Sequence, residues 1–377
     1  MTNWNAWAAE QLDGLRALHR FREAVPFDGD GPDGIVGGKR VISFASNDYL
    51  GLSAHPTVRM AAISAIERFG TGAMASRLVV GTRSLHRELE QAIAEWKHSE
   101  SALVFSSGYA ANLGVLASLG AQDVTLFSDE LNHASIIDGC RLAKARTLVY
   151  RHLDMAHLQQ LLQQTPGRKI VVTESVFSMD GDCAPLPALA ELCIEHGALL
   201  VLDEAHAVLG PKLRPTSGLQ VLHVGTLSKT LGALGGFVAG SSRLIELLIN
   251  RARTFIFTTG LSPADTAAAL AALRICESDE GERLRARLRL LIDMLQPNHS
   301  SAIVPIVLGE DSAALFAAAQ LKERGIYVPA IRPPTVPKGT SRLRVALSAA
   351  HTEISVQLLR HALNEITAAR TPAAANA

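Results

Sequence analysis

The sequence predicts an α/β protein: a large domain built on a mostly parallel, doubly wound sheet, then a smaller α+β C-terminal domain. Three observations predict it. Short apolar runs rich in Val and Leu recur at SALVFSS, VTLFSD, KIVVTES, ALLVLDEAH, LHVGTLS and GGFVAG. They are apolar on both faces, as strands buried in a parallel sheet are, and lack the alternation of a sheet with one wet face. Helix-like segments separate several of them, such as GYAANLGVLASL and PLPALAELCIEHG, the latter stopped by Gly197. Aromatic residues are only 5% of the chain, and the abundance of Ala, Leu and Gly suits helices packed on a sheet better than a β-sandwich.

Taken in order, residues 4 to 24 read as an amphipathic helix, with Leu12, Leu15 and Leu18 on one face. FDGDGPDGIVGGKR reads as turns, and VISFASNDYLGL as a strand running into a loop. From Ser84 to Trp96, Leu85, Leu89, Ile93 and Trp96 fall at helical spacing. After LSPADTAAALAALRICE the texture changes. A charged helix (GERLRARLRLLIDML) precedes a strand (AIVPIVLG), a helix (SAALFAAAQLKERG) and a strand (IYVPAI). The Pro-rich loop RPPTVPKGT then leads to a last strand (RLRVALS) and helix, and the tail TPAAANA is expected to fray. The expected division is an N-terminal helix and arm (1–44), a large domain (45–265) and a small domain (266–377). A chain of 377 residues accommodates this at about 150 residues per domain.

Composition removes several function classes. Hydrophobic residues make up 48% and charged residues 19%, enough for a large core and against general disorder. Lys plus Arg and Asp plus Glu are both 36, a formal charge of zero, so the basic excess of a nucleic-acid binder is absent. Cys140, Cys183, Cys193 and Cys276 form no CxxC pair, which supports neither a zinc ribbon nor a dithiol motif, and no metal site is expected. Scattered cysteines, no apolar signal-peptide core and no run of about 18 apolar residues point to a cytoplasmic protein that neither crosses nor docks on a membrane.

In open α/β sheets ligands sit beyond the carboxyl ends of the strands, so polar residues directly after apolar runs carry the chemistry. In VFSSGYAAN, Ser106-Ser107-Gly108 turns from a strand into a helix, and the free amides of a helix start favour an anion such as phosphate. Alone this is an ordinary N-cap. In ALLVLDEAH, Asp203 follows five apolar residues and His206 lies three further on. A DEAH string also occurs in helicases, but their G-x-x-x-x-G-K-[ST] loop is missing. In HVGTLSKTLGALGG, Lys229 stands among Gly, Ser and Thr with almost no other charge. Such a lysine loses hydration and its pKa falls, which suits a Schiff base, whereas the bland alternative is a surface loop lysine. His133 in FSDELNHASIIDGC enters a helix after a strand, and alone it is as readily a packed side chain. An aspartate, a lysine, a phosphate-type turn and an aromatic ring at the strand ends of one sheet describe a pyridoxal phosphate site.

The blocks SNDYLGL, SGYAAN, LNHASIIDG, TESVFSMDGD, DEAH, GTLSKTLGALGG and RPPTVPKGTSRLR, in this order over nearly the whole chain, resemble the α-oxoamine synthase family of fold-type I pyridoxal phosphate enzymes. The resemblance implies that Lys229 forms the Schiff base and that Asp203 keeps the pyridine nitrogen protonated. It implies that His206 bonds the ring hydroxyl and His133 stacks on the ring. Ser107, Gly108 and Tyr109 match the phosphate-side turn, and Ser178 and Thr226 match further cofactor contacts. It implies a homodimer with the site at the interface, where Thr258 or Thr259 reaches the partner's phosphate. For substrate, Arg344 matches a receiver of the amino-acid carboxylate and Thr335 a substrate contact. Arg20 and Arg22 are both open as the N-terminal substrate arginine. The stretch after DEAH is shorter than is usual in the family, so the loop near the ring edge is expected to differ in shape.

The implied reaction is a decarboxylative condensation of L-alanine with a pimeloyl thioester, on CoA or acyl carrier protein, in biotin biosynthesis, with Lys229, Asp203 and His133 as the catalytic residues. RPPTVP favours this branch. The alternative is a sister enzyme such as glycine C-acetyltransferase, using glycine and a short acyl-CoA. A non-catalytic module that keeps the fold is disfavoured by the joint presence of Lys229, Asp203, His206 and His133.

Overall fold

The structure is a computed structural model that describes residues 3–368; the tail TPAAANA lies outside the described residues. The chain starts with α1 (Trp4–Ala17), β1 (Phe27–Asp28), β2 (Asp33–Val36) and β3 (Lys39–Ser43). A 3-10 turn (Leu52–Ala54), α2 (Pro56–Phe69) and α3 (Ser84–Trp96) lead to β4 (Ser101–Phe105) and α4 (Gly108–Leu119). There follow β5 (Val124–Asp129), α5 (Ala134–Leu142), β6 (Arg146–Tyr150), α6 (Met155–Gln164), β7 (Arg168–Glu174) and α7 (Leu186–Glu195). Next come β8 (Leu199–Asp203), β9 (Gln220–Thr226), β10 (Gly236–Gly240), α8 (Ser242–Arg251), α9 (Arg253–Ile256) and α10 (Pro263–Cys276). The chain continues through α11 (Asp279–Leu295), β11 (Ile303–Gly309), α12 (Asp311–Glu323), β12 (Ile326–Tyr327), β13 (Ala330–Ile331), β14 (Ser341–Ala346) and α13 (Glu353–Ala368).

By packing, the chain forms two compact units, the larger from Asn47–Arg289 with Ser300–Ala302. Its seven-stranded sheet has the order β4-β10-β9-β8-β7-β5-β6. Successive strand residues face opposite sides, and both sides are buried. Leu126, Val172, Val201 and Val224 pack against α4, α5, α8 and α9 through Val115, Ile136, Ile245 and Phe255. Phe127, Val171, Leu200 and Leu202 pack against α6 and α7 through Leu158, Leu162 and Leu189. This is the doubly wound arrangement, and all six apolar runs are strands in it.

Three details of the larger unit differ from the expectation. GGFVAG is β10, and it pairs antiparallel with both β4 and β9. Residues 227–235 are too few for the crossover that a parallel return needs. The strand β6, RTLVY, is not predicted by the sequence pattern because it lies at the sheet edge with most of its residues solvent-facing, so it lacks a continuous apolar run. The helices α2, α6 and α8 are also additions to the sequence reading.

The second unit joins the described part of Met1–Ser46 to Leu290–His299 and Ile303–Ala377. It holds a four-stranded sheet, β1-β2-β3-β12, and a three-stranded sheet, β11-β14-β13. The N-terminal stretch is thus no separate arm: β3 pairs with β12 in parallel, and the Ala346 N–H donates to the Phe44 carbonyl at 2.8 Å. The segment read as turns contains β1 and β2. Gly37 and Gly38 both have positive φ, 59° and 79°, the two-residue loop that closes a tight hairpin onto β3. The first helix stops at Ala17 rather than 24 and buries none of its residues, leaving Leu12, Leu15 and Leu18 exposed. IYVPAI is two strands, since β12 pairs with β3 and β13 with β14, split around Pro329, which has no N–H to give a ladder.

The texture change read at residue 266 does not coincide with the division between units. The Ala-rich helix α10 packs on α2 and α3 in the larger unit, because Ala268, Ala269 and Ala272 allow close approach. Among the described residues no helix is long and apolar enough to cross a membrane.

Candidate active site

The chemistry-bearing side chains of the larger unit follow the carboxyl ends of β4, β5, β7, β8 and β9. Asp203 is the last residue of β8, and Lys229 follows β9. Lys229 Nζ lies 2.8 Å from His206 Nε2, and His206 Nδ1 lies 2.5 Å from Tyr49 Oη. Tyr49 donates in turn to Asn47 Oδ1 at 3.1 Å. Since the phenol spends its hydrogen on Asn47, it accepts from His206 Nδ1–H, which leaves Nε2 to accept from the amine. Tyr49 is fully buried, so His206 is held by a rigid partner.

Asp203 is 6% exposed. Its Oδ2 accepts from Asn112 Nδ2 at 2.7 Å and its Oδ1 from the Ala205 N–H at 2.9 Å. Both donors are neutral. Asn112 also donates to Ser135 Oγ at 3.0 Å, which ties α4, α5 and β8 together. Glu204, the next residue in DEAH, belongs to a different network. It pairs with Lys97 at 2.9 Å and His223 at 3.0 Å. Burial raises its pKa, but those two partners outweigh burial and bring it down to about 2.

His133 is the N-cap of α5. Its Nδ1 accepts from the Ser135 N–H at 3.2 Å and lies 2.8 Å from Ser135 Oγ, so the neutral ring carries its proton on Nε2. Burial pushes its pKa down; the Asp203 charge pulls it up and the Lys229 charge lowers it again, with a lowered net result. The Tyr109 ring stands edge-on to it at 6.4 Å between centroids, and the Tyr109 hydroxyl is bonded to Asp138.

Ser107 caps α4, accepting from the Ala110 N–H at 3.0 Å, and the first amides of the helix start here without helical partners. Thr226 closes the turn with Oγ1 at 2.7 Å from Ser228 Oγ and a bond to the Gly235 carbonyl at 3.0 Å. A Cβ on Gly236 would stand 2.4 Å from the Gly108 nitrogen, so only glycine lets β10 come this close to the turn.

Ser178 lies in the loop after β7, buried. An ion triplet clamps that loop: His152 donates from Nδ1 to Asp129 at 2.8 Å and from Nε2 to Asp182 at 2.7 Å. Two donated protons make the ring an imidazolium. Burial opposes the charge, but the hydrogen bonds and charges of Asp129 and Asp182 prevail and raise its pKa to about 10. A His pKa raised on folding gives stability that is complete below about 6.5 and is lost as pH climbs through about 10. His152→Gln should therefore lose about 2 kcal/mol near neutral pH, the size of hydrogen bonds to charged groups. The gap in melting temperature should close as the pH approaches 10. A gap that stays constant over that range would show that the ring acts by packing alone.

The substrate candidates lie in the smaller unit. Arg20, Arg22, Arg332 and Thr335 line a cavity of about 120 Å³ with Ile331 and Pro333. Arg22 Nη2 donates to Thr335 Oγ1 at 3.2 Å, and Arg332 to the His19 carbonyl. Arg20 Nε is buried without a hydrogen-bond partner. Arg344 lies elsewhere in this unit, buried on β14 opposite Pro305.

The structure thus gathers Ser107, Gly108, Tyr109, His133, Ser178, Asp203, His206, Thr226 and Lys229 around the strand ends of one sheet. It adds Tyr49, Asn112 and Glu174. All three sit inside quoted blocks (SNDYLGL, SGYAAN, TESVFSMDGD), but each acts through a partner distant in the chain, which spacing does not reveal.

The family described as aminotransferase class I and II matches residues 39–363, and the chain belongs to it, in its α-oxoamine synthase branch. Among curated proteins, 8-amino-7-oxononanoate synthase of Anaeromyxobacter dehalogenans strain 2CP-1 is 51% identical, covering 92% of this chain and 91% of that one. Serine palmitoyltransferase from S. paucimobilis, solved with a bound PLP–myriocin aldimine, superposes with a TM-score of 0.89 at 30% identity, covering 96% and 97% of the two chains. 8-Amino-7-oxononanoate synthase from Francisella tularensis gives 0.72 at 29% identity, covering 87% of this chain and 97% of that one.

Proposed function

We propose that this protein is a pyridoxal phosphate-dependent acyltransferase that condenses L-alanine with a pimeloyl thioester, releasing carbon dioxide and 8-amino-7-oxononanoate for biotin synthesis. The observation that carries this reading is the Lys229 amine, 2.8 Å from His206, in one strand-end cluster with a buried Asp203 carboxylate. Relatives named for this reaction at 44–51% identity support the choice of substrates.

The residues fit the cofactor. Asp203 has only neutral donors among its hydrogen bonds, and a buried carboxylate so placed suits a protonated ring nitrogen. Lys229 offers an amine, and the Ser107–Tyr109 helix start offers amides to a phosphate. When bound, pyridoxal phosphate supplies an electron sink for the charge that develops at the amino-acid Cα. Lys229 Nζ is the group that takes the Cα proton, and His206 orients it. Asp203 holds a proton on the ring nitrogen. His133, neutral with Nε2–H free to donate, assists the acyl oxygen. Arg344 takes the amino-acid carboxylate through its planar fork.

The arginine-lined cavity suits the far carboxylate of a dicarboxylic acyl chain, which a short acetyl group lacks. Arg22→Ala should raise KM for the pimeloyl thioester about tenfold and leave kcat within about twofold, as the loss of uniform binding does. A homodimer completing the site and a cytoplasmic location belong to the same proposal. Thiol release with L-alanine and pimeloyl-CoA, run beside glycine and acetyl-CoA, tests it, with pimeloyl-acyl carrier protein as a third donor. Release with L-alanine and either pimeloyl donor is expected. Release only with glycine and acetyl-CoA would move the protein to the sister branch, and silence in all three would overturn the reading.

A further inference from the structure

We infer that Glu174 is a positioning residue of this site: its buried carboxyl ties the backbone of His133 and of Ser178 to the end of β7. The inference rests on the role proposed above for Asp203. Glu174 and Asp203 are register partners at the ends of adjacent parallel strands, about 5 Å apart along the sheet. Both are buried, Glu174 at 2% and Asp203 at 6% exposure. A neighbouring carboxylate charge and the absence of water both disfavour a charge on Glu174. Burial and the Asp203 charge, not its hydrogen-bond partners, favour the proton on Glu174. Asp203 Oδ2 accepts from a side-chain amide and its Oδ1 from a backbone amide, and the role proposed above assigns it to the ring nitrogen.

Glu174 instead faces backbone. Its Oε1 accepts from the His133 N–H at 2.6 Å, and the Ser178 N–H is a second donor. Burial and then the Asp203 charge push its pKa well up; the Lys229 charge and the two amides pull the other way without overcoming them. The loop from β5 to α5 and the loop after β7 are therefore fastened by one carboxyl at the middle of the sheet. A protonated carboxyl and a glutamine amide are alike in shape and charge, so glutamine should replace Glu174 where alanine does not.

The test compares Glu174→Gln and Glu174→Ala in three readouts. In the protein without cofactor, exchange of the His133 and Ser178 amides should quicken about tenfold or more in Glu174→Ala, the size of a lost buried hydrogen bond. It should stay within about threefold of the parent in Glu174→Gln. With cofactor, Glu174→Gln should keep kcat within about threefold. The pH at which the visible band of the bound cofactor changes should stay within about half a unit of the parent. A displacement of more than about one unit, or a kcat as low in Glu174→Gln as in Glu174→Ala, would show that the charge is needed and overturn the inference. Unchanged exchange and kcat in Glu174→Ala would overturn it as well. If Glu174→Ala does not fold, Glu174→Gln decides through the exchange and pH readouts. A parent without a cofactor band would count against the proposed function and not against Glu174, because the exchange measurement needs no cofactor.

Discussion

Lys229→Ala should abolish turnover of L-alanine with pimeloyl-CoA, by about ten-thousand-fold or more, since it removes both the attachment point and the general base proposed for the reaction. The amine is not replaceable from nearby. His206, the group 2.8 Å from it, has Nδ1 engaged with Tyr49 and its remaining nitrogen directed at the lysine. His133 is kept neutral mainly by burial, and its Nδ1 is occupied by Ser135. Thiol release and the visible absorbance of the reconstituted protein check this together. The variant should still fold and bind some cofactor through the Ser107–Tyr109 turn, Thr226 and Ser178, but its spectrum should be that of the free aldehyde. Full activity would sink the assignment.

Asp203→Asn should lower kcat about a hundred- to a thousand-fold, the range expected when a preorganised charge is removed from a buried site. The substitution keeps shape but changes two things. The ring nitrogen would lose the anionic partner proposed for it, and an amide nitrogen facing Asn112 Nδ2 would set donor against donor across the 2.7 Å contact. The second effect is a matter of fold stability and the first is not, so the two separate experimentally. In the cofactor-free protein, Asp203→Asn removes a buried charge, and its melting temperature should stay within a few degrees of the parent or rise. A large loss of stability together with retained kcat would mean that Asp203 serves as a strut between β8 and α4 only. The neighbouring carboxyl responds as well: without the Asp203 charge, one cause of the raised Glu174 pKa disappears, and Glu174 should ionise at lower pH than in the parent.

These predictions draw on different layers of information. Lys229, Asp203, His206 and His133 were legible in the chain because each directly follows an apolar strand run or opens the helix after one, where an α/β sheet presents its ligands. The same rule located the Ser107-Gly108 turn. Tyr49, Asn112 and Glu174 were not legible as site residues. Asn112 lies on the first turns of α4 and looks like any helix polar residue until Asp203, distant in sequence, comes to 2.7 Å. Glu174 reads as the polar end of a strand, and only the register of β7 with β8 sets it beside Asp203. The arginine cavity has the same character, since Arg22 and Thr335 meet across most of the chain length.

The fold divides along the same line. Runs buried on both faces, helix stops at glycine and the order of α and β segments are local properties of hydrophobicity and backbone freedom, and they were enough to specify a doubly wound sheet with Lys229 and Asp203 at its carboxyl edge. Pairing direction, strand partners and unit boundaries are settled by closure and packing. The span between β9 and β10 was too short for a crossover, so β10 turned antiparallel. The stretch that includes β3 joined the C-terminal elements because β12 completes its sheet. Ala-rich α10 found its partners in α2 and α3. Protonation belongs to this second group: Glu174, His133 and His152 take their states from burial and from neighbours that the chain assembles over long sequence distances, and no reading of a single segment contains them.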